Sequence, residues 1–339
     1  MINHRGPEFA ALLNGCTARL KQVFQTKNDL FVLTGAGTGG LEATLVNMLS
    51  PGDKVLSVSI GVFGDRYAAI ARTFGAEVVP LQFELGKGAD PDAVAEALKL
   101  NPDVKAVLVT HNETSTGVTN DLAALSKIIK GAGKLLLVDA VSSMSAVNLP
   151  VDEWHCDVVV SGSQKGWMIP PGLCFVSVSK EAWAANEKAA IPRFYWDFAK
   201  AKSYLEKGQT PWTPGVAELF ALDTTLDMIL KEGLENVFAR HARIAQAFRD
   251  GLKSLGLELF AEPKYASNTV TSIAASNGLD SKLLIKIMRE QHNVVLAGGQ
   301  QTMDGKVFRI GHLGYVGDDD VNAVLTELKA ALPKAGFRG

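Results

Sequence analysis

Three places in this sequence combine residue types that can do chemistry, and each stands at the end of an apolar run. Lys165 lies in SGSQKGWMIPPG, just past the run DVVVS, among small residues and ahead of Trp167 and two prolines. A lysine held against apolar walls sheds hydration, its pKa falls, and it becomes an amine nucleophile and proton carrier. The plain alternative is a solvated lysine at a strand end. Asp139 closes the run LLLVD, where a carboxylate is costly unless a cation sits beside it; a pyridinium nitrogen is such a cation, and a helix cap or an ordinary salt bridge is the alternative. The run LFVLT leads into Gly35-Ala36-Gly37-Thr38-Gly39-Gly40 and then LEATLVNML. This glycine turn opens a helix whose free amides and dipole suit an anion, typically a phosphate, although a tight turn without a ligand would use the same glycines.

Taken together the three places describe a pyridoxal phosphate site, with Lys165 as the Schiff-base lysine, Asp139 at the ring nitrogen and the GAGTGG helix start at the phosphate. Phe63, in GVFGDR, is placed to stack on the ring, or else packs in the core. Arg309, in KVFRIGHLG, offers the planar fork that grips the carboxylate of an amino acid, or else forms a surface ion pair. The glycines also satisfy G-x-G-x-x-G. However, the next strand ends Ser59-Ile60-Gly61 without the acidic residue of a dinucleotide fold, and the loop lacks the lysine of a nucleoside triphosphate site.

These residues need a scaffold, and the pattern supplies one. Between Leu30 and Ser179 one phrase repeats: a β-branched or Leu-rich run, a turn rich in Gly, Ser or Thr, then an amphipathic stretch. The runs fall at 30–34, 55–60, 76–81, 106–110, 135–139, 157–161 and 174–179. Most are apolar throughout, which predicts about seven strands buried on both faces of a mostly parallel sheet. Helices are expected at 40–49, 64–74, 91–99 and 121–131, the third opened by Asp90-Pro91 as cap and first position. In such sheets ligands bind outside the carboxyl ends of the strands, and those turns carry GAGTGG, GVFGDR, HNETSTG, DAVSS and GSQK in succession. After Lys180 comes a long aromatic and charged excursion, then a helical stretch at about 216–255. A division at 237/238 separates a large cofactor-binding domain, 1–237, from a small α/β domain, 238–339. The small domain is built from TVTSIAA, a helix near 280–291, NVVLAGG, KVFRIGH and a helix near 318–332.

Composition narrows the function classes. The chain has 339 residues, 47% hydrophobic and 21% charged, which argues against disorder. With 34 basic and 36 acidic side chains, no positive excess exists to hold nucleic acid. Cys16, Cys156 and Cys174 are odd in number and lack ligand spacing, so a disulfide framework or a metal site is not expected. The apolar runs are only strand-length, and MINHRGPEFA lacks the basic-then-apolar pattern of a secretory signal; a soluble, cytoplasmic protein with no membrane partner is the expectation.

The motifs GAGTGGLEA, GVFGDR, THNETSTG, VDAVSS, SGSQKGWMIPPG, GQTPWTPG and VFRIGHLG, in this order, resemble the class V aminotransferase family of pyridoxal phosphate enzymes. The likeness runs from residue 2 to about 332 and is greatest to the alanine–glyoxylate and serine–pyruvate or serine–glyoxylate group, which also contains proteins labelled as a subunit of soluble hydrogenase. The resemblance implies fold type I and a homodimer with active sites at the subunit interface. It assigns Lys165 to the Schiff base with Gln164 beside it, Asp139 to the ring nitrogen, Val141 under the ring, Ser143 nearby and Thr114 near the ring hydroxyl. Ala36, Gly37 and Thr38 would hold the phosphate, Thr210 and Thr213 would reach it from the other subunit, and Arg309 would take the substrate carboxylate. Two departures stand out. Relatives carry a Gly-Pro-rich segment before the Asn-His-Arg stretch, and its glycine helps to wall the pocket. Here Asn3-His4-Arg5 come almost first, so altered pocket closure is expected; and Ala36 replaces a hydroxyl residue that often helps hold the phosphate.

The resulting expectation is a transaminase moving the amino group of alanine or serine to glyoxylate or pyruvate by a ping-pong cycle. A desulfurase or lyase of the same fold would want a nucleophilic cysteine late in the chain, and none follows Cys174. A non-catalytic subunit of a larger, hydrogenase-like complex is the third reading.

Overall fold

The computed structural model describes residues 2–339. Seven strands form the main sheet: β1 (Asp29–Thr34), β2 (Lys54–Ser59), β3 (Glu77–Gln82), β4 (Ala106–Thr110), β7 (Leu135–Asp139), β8 (Val158–Gly162) and β9 (Leu173–Val178). A two-stranded hairpin, β5 (Asn112–Glu113) with β6 (Val118–Thr119), folds over the end of β4. The spatial order is β1-β9-β8-β7-β4-β2-β3. Neighbours pair in parallel except β9, which runs antiparallel to both β1 and β8. The expected mostly parallel sheet is therefore present, on the strands named from the sequence.

Alternation explains why these strands read as unbroken apolar runs. Val107, Val109, Leu136, Val138 and Val159 point into one buried cluster, while Ala106, Leu108, Leu137, Val158 and Val160 point into another on the opposite face. The first face is covered by α1 (Pro7–Phe24), α4 (Pro91–Leu100), α5 (Leu122–Gly131) and α8 (Val216–Glu232). The second is covered by α2 (Gly37–Met48), α3 (Val62–Thr73), α6 (Lys180–Asn186) and α7 (Phe198–Leu205). Asp90 caps α4 through Asp92 N–H, as its position before Pro91 predicts. The helical stretch at 216–255 is two helices, broken at Gly233, whose φ of 85° admits glycine at no steric cost.

The second of these helices, α9 (Leu234–Ser254), joins the two cores. Val237 near its start packs with the main sheet, and Ile244, Phe248 and Leu252 pack on the small sheet. That sheet has the order β10 (Val270–Ala274), β12 (Val307–Gly311), β11 (Ala297–Gly298), all antiparallel, backed by α10 (Ser281–His292) and α11 (Asp318–Ala331). Among the described residues no helix is long and apolar enough to cross a membrane.

Candidate active site

The first turn of α2 begins where β1 ends. Gly35 N–H donates to Gly172 O at 2.8 Å, and the helix engages its own amides only from Gly40, whose N–H donates to Ala36 O at 3.2 Å. The amides of Gly37, Thr38 and Gly39 therefore have no partner within the helix. Ala36 supplies no side-chain cap, and the turn carries no acidic residue that would repel an anion. All four glycines of the turn are required by packing, Gly35 and Gly40 by Trp196 and Val160 at 2.7 and 2.6 Å from the Cβ each would carry. A Cβ on Gly37 would lie 2.6 Å from Val141 Cγ2, and one on Gly39 would lie 2.7 Å from the Trp196 indole. The helix start is thus pressed against the turn that follows β7.

That turn contains Asp139, 4% exposed, at the carboxyl end of β7. Its side chain accepts one hydrogen bond, from Val141 N–H at 2.9 Å, and no salt bridge reaches it from the described residues. Neither a helix cap nor an ordinary ion pair explains it. Burial pushes its carboxyl up to about 7, with Glu113 adding to the rise and Lys165 and Arg66 opposing it. Ser143, fully buried, shares a 2.9 Å hydrogen bond with His111 Nδ1, and burial holds His111 down to about 4, hence neutral. Lys165 follows β8 in the adjacent turn. Its amine is pushed below the ordinary lysine value by burial and by Arg309, with Asp139 pulling the other way. Gln164 beside it is exposed. Its side-chain oxygen would be 3.3 Å from a Cβ on Gly162, as would Val141 Cγ1, with Gly37 Cα at 3.5 Å, so the expected residues Gln164, Val141 and Gly37 meet there.

Phe63 stands in the first turn of α3, half-buried, with the Arg66 guanidinium 4.7 Å from the centre of its ring. Thr114 is 8% exposed, and its carbonyl accepts from Arg309 Nη1 at 2.8 Å. Arg309 Nε donates to Gly298 O at 2.9 Å. Register puts Arg309 opposite Ala297 and Ser272 in the small sheet, 8% exposed and in no salt bridge with any described residue. The surface ion pair is therefore ruled out, and a buried guanidinium without a carboxylate faces the region of Lys165.

Residues 1–324 match the family Aminotransferase class-V. The chain belongs to that family. It is 44% identical over 340 residues to the soluble hydrogenase, small subunit, of Synechococcus sp., covering 99% of this chain and 88% of that one. It is 39% identical to the serine–glyoxylate aminotransferase of Methylorubrum extorquens, over 92% of this chain and 80% of that one. The crystal structure of pyridoxamine–pyruvate aminotransferase from Mesorhizobium loti superposes with a TM-score of 0.95 at 31% identity, covering 99% and 87% of the two chains.

Class V aminotransferases are pyridoxal phosphate enzymes of fold type I, and the residues of this one fit that group. The α2 amides can receive a phosphate, and Asp139 is a buried carboxylate lacking a cation. The close approach of Gly37 to Val141 leaves a cradle that a Cβ would fill. The segment carrying the two expected cross-subunit residues reaches the end of β1, where Gly215 N–H donates to Thr34 Oγ1 at 3.2 Å. Thr210 gives its hydroxyl to Trp212 O at 2.7 Å, and Thr213 is exposed. Their segment is held by Arg5, whose Nη1 donates to Gln209 Oε1 at 2.9 Å and to Thr210 O at 2.7 Å.

The sequence singles out Arg5 only by its place in the Asn-His-Arg stretch and gives no role to Trp196, His111 and Glu113. The last two lie within HNETSTG, a strand-end turn whose location was their one readable signal. All three cysteines are free and buried, and burial is the largest cause pushing Cys16 and Cys174 up to about 12 and Cys156 up as well, so none is a ready nucleophile. A cleft of about 500 Å³ opens at the amino ends of the strands, lined in part by Asp53 and Lys105, which pair with each other; it lies away from this site.

Proposed function

We propose that this class V aminotransferase moves the amino group of alanine or serine to glyoxylate or pyruvate in a ping-pong cycle, as a homodimer in the cytoplasm. The observation that carries the reading is Arg309, a buried guanidinium tethered to two carbonyls and left without a carboxylate, in the neighbourhood of Lys165 and Asp139. The names of the M. extorquens and M. loti proteins favour small 2-oxo acids as acceptors. We divide the chain at 237/238 into a cofactor-binding domain and a small domain that brings Arg309 to it.

Pyridoxal phosphate, when bound, supplies an aldehyde that receives the amino group and a ring that takes up the electrons of the substrate Cα–H bond. Lys165 carries the cofactor and, as a free amine, moves the proton from that Cα; its lowered affinity for protons suits both tasks. Asp139, as an anion, keeps the ring nitrogen protonated. Phe63 and Val141 hold the ring faces, with Gln164, Ser143 and Thr114 at its edge. Ala36, Gly37 and Thr38 receive the phosphate, helped by Thr210 and Thr213 of a second copy. Arg309 takes the substrate carboxylate and so orients the Cα–H bond.

The test is a half-reaction screen. Holoenzyme is mixed with alanine, serine, aspartate and other single amino acids, and the aldehyde form of the cofactor is followed as it converts to the amine form. Alanine or serine is expected to convert it fastest, and conversion by neither would overturn the proposed donors. The 44% identical hydrogenase-named relative favours one other reading, a subunit of a larger complex. Turnover by the purified chain with no added partner would dismiss it.

A further inference from the structure

Glu113 is fully buried, yet its carboxylate meets no lysine or arginine in a salt bridge among the described residues. Its charge is met by N–H and O–H groups instead. Oε2 accepts from Phe63 N–H at 2.9 Å and Gly64 N–H at 3.1 Å, and Oε1 accepts from Ser115 N–H at 3.0 Å and Ser115 O–H at 2.6 Å. Ser115 Oγ in turn accepts from Val62 N–H at 3.1 Å. The first three amides of α3, which its cap residue Gly61 cannot satisfy, are all taken by Glu113 and Ser115. A Cβ on Gly61 would lie 2.6 Å from Glu113 Cγ, so the hairpin and the helix start are in tight contact. Where the start of α2 is open to an anion from outside, the start of α3 is sealed by an internal one.

We infer that Glu113 is a positioning residue that fixes Phe63 and Arg309 from one buried anion, and so links cofactor affinity to the binding of the substrate carboxylate. The link on one side is the Phe63 amide, which sets the backbone from which the ring projects. On the other side, the next residue in the chain is Thr114, whose carbonyl takes Arg309 Nη1. Charge acts along the same line: burial lowers the Arg309 guanidinium from its ordinary value and Glu113 opposes that fall, while burial pushes the Glu113 carboxyl up and its hydrogen bonds from Ser115, Gly64 and Phe63 oppose the rise. Because this inference rests on the proposed roles of Phe63 and Arg309, its test has to separate the two.

Glu113→Gln keeps the shape but replaces one oxygen by an NH₂ group. An NH₂ in the place of Oε2 faces the Phe63 and Gly64 N–H groups, and one in the place of Oε1 faces Ser115 N–H while the Ser115 hydroxyl turns to accept from it, so at least one donor loses its acceptor either way. Unsatisfied donors of this kind correspond to about a tenfold weakening. The holoenzyme is expected to show about a tenfold higher cofactor dissociation constant, by dialysis and fluorescence, and about tenfold higher KM for both amino acid and 2-oxo acid. The kcat at saturation should stay within about threefold. Ser115→Ala removes one donor to Glu113 and the acceptor of Val62 N–H, leaves the Phe63 and Gly64 contacts in place, and should move the same constants the same way by about two- to fivefold, so it decides the matter if Glu113→Gln does not fold. Lowered thermal stability with unchanged cofactor affinity and KM would overturn the inference and leave Glu113 merely structural. Arg309→Lys in parallel tells the two failures apart. If it raises KM while the Glu113 and Ser115 variants do not, only the present inference falls. If it leaves KM unchanged, the site assignment beneath it falls as well.

Discussion

Replacing Arg309 by lysine keeps the charge and removes the fork. Of the five N–H groups of a guanidinium, one on Nε is engaged by Gly298 O at 2.9 Å and one on Nη1 by Thr114 O at 2.8 Å. Those tethers fix the plane and leave the rest, Nη2 included, to pair with both oxygens of a substrate carboxylate. An ammonium on a flexible stem can meet one carbonyl or one carboxylate oxygen well, but it cannot hold that geometry for both. Losing one charge-assisted hydrogen bond of about 1.5–3 kcal/mol corresponds to roughly a tenfold to hundredfold rise in KM. The rise should appear for the amino acid and the 2-oxo acid alike, because the carboxylate is common to both half-reactions. Cofactor affinity should change little. Steady-state kinetics in both directions, with the cofactor dissociation constant measured on the same samples, gives all three numbers. Unchanged KM for every active substrate would refute the reasoning and place the carboxylate elsewhere.

Asp139→Asn should slow single-turnover removal of the Cα proton far more than it weakens cofactor binding, since a neutral amide cannot hold the ring nitrogen protonated; equal rates would refute this. In the cofactor-free protein the same variant has a second signature. The Asp139 carboxyl lies at about 7 against an ordinary 3.8, among the charges of Glu113, Lys165 and Arg66, so its contribution to stability is present at low pH and is lost as pH rises through about 7. Cofactor-free Asp139→Asn should therefore gain in melting temperature relative to wild type between pH 5 and pH 8, and a constant difference across that range would contradict the assigned environment. Gly37→Ala puts a Cβ 2.6 Å from Val141 Cγ2, an overpacking of about 1–3 kcal/mol in thermal unfolding, and should also weaken cofactor binding because Val141 N–H holds Asp139; wild-type behaviour in both assays would count against the cradle. Phe63→Ala should raise the cofactor dissociation constant about two- to tenfold, the equivalent of about 0.5–1.5 kcal/mol of stacking, and an unchanged constant would return Phe63 to plain packing.

The main sheet was legible because most of its strands are buried on both faces, so Leu136, Leu137 and Val138 are all apolar although successive side chains enter different cores; the edge strand β3 is the exception, with no buried residue. Strand direction leaves no such mark. Nothing in LCFVSV distinguishes β9, which runs against its neighbours, from the parallel strands beside it. Helix α1 has a readable face, with Phe9, Leu13, Cys16, Leu20 and Phe24 three or four apart and Pro7 at its start, yet the expected helices began only after β1. The excursion after Lys180 hides α6 and α7, which are only 7 and 8 residues long, too short to show a period.

The site was legible where a residue's chemistry conflicts with its local setting, as with a carboxylate ending LLLVD or a lysine following DVVVS. It was not legible where the setting is made by distant chain. Arg309 and Thr114 are 195 positions apart, and neither sequence segment marks the other. Glu113 lies in a turn of polar residues that all look alike. Its burial comes from the start of α3, about 50 residues earlier, docking on the hairpin.

Every role proposed for this site depends on Lys165 carrying the cofactor. The measurement is borohydride reduction of the holoenzyme followed by proteolysis and mass mapping of the pyridoxyl group, with Lys165→Ala as the control. The label is expected on the peptide containing SGSQKGWMIPPG, at Lys165, with no labelled lysine and no turnover in a folded variant. A pyridoxyl group on any other lysine of the wild-type chain would contradict this assignment.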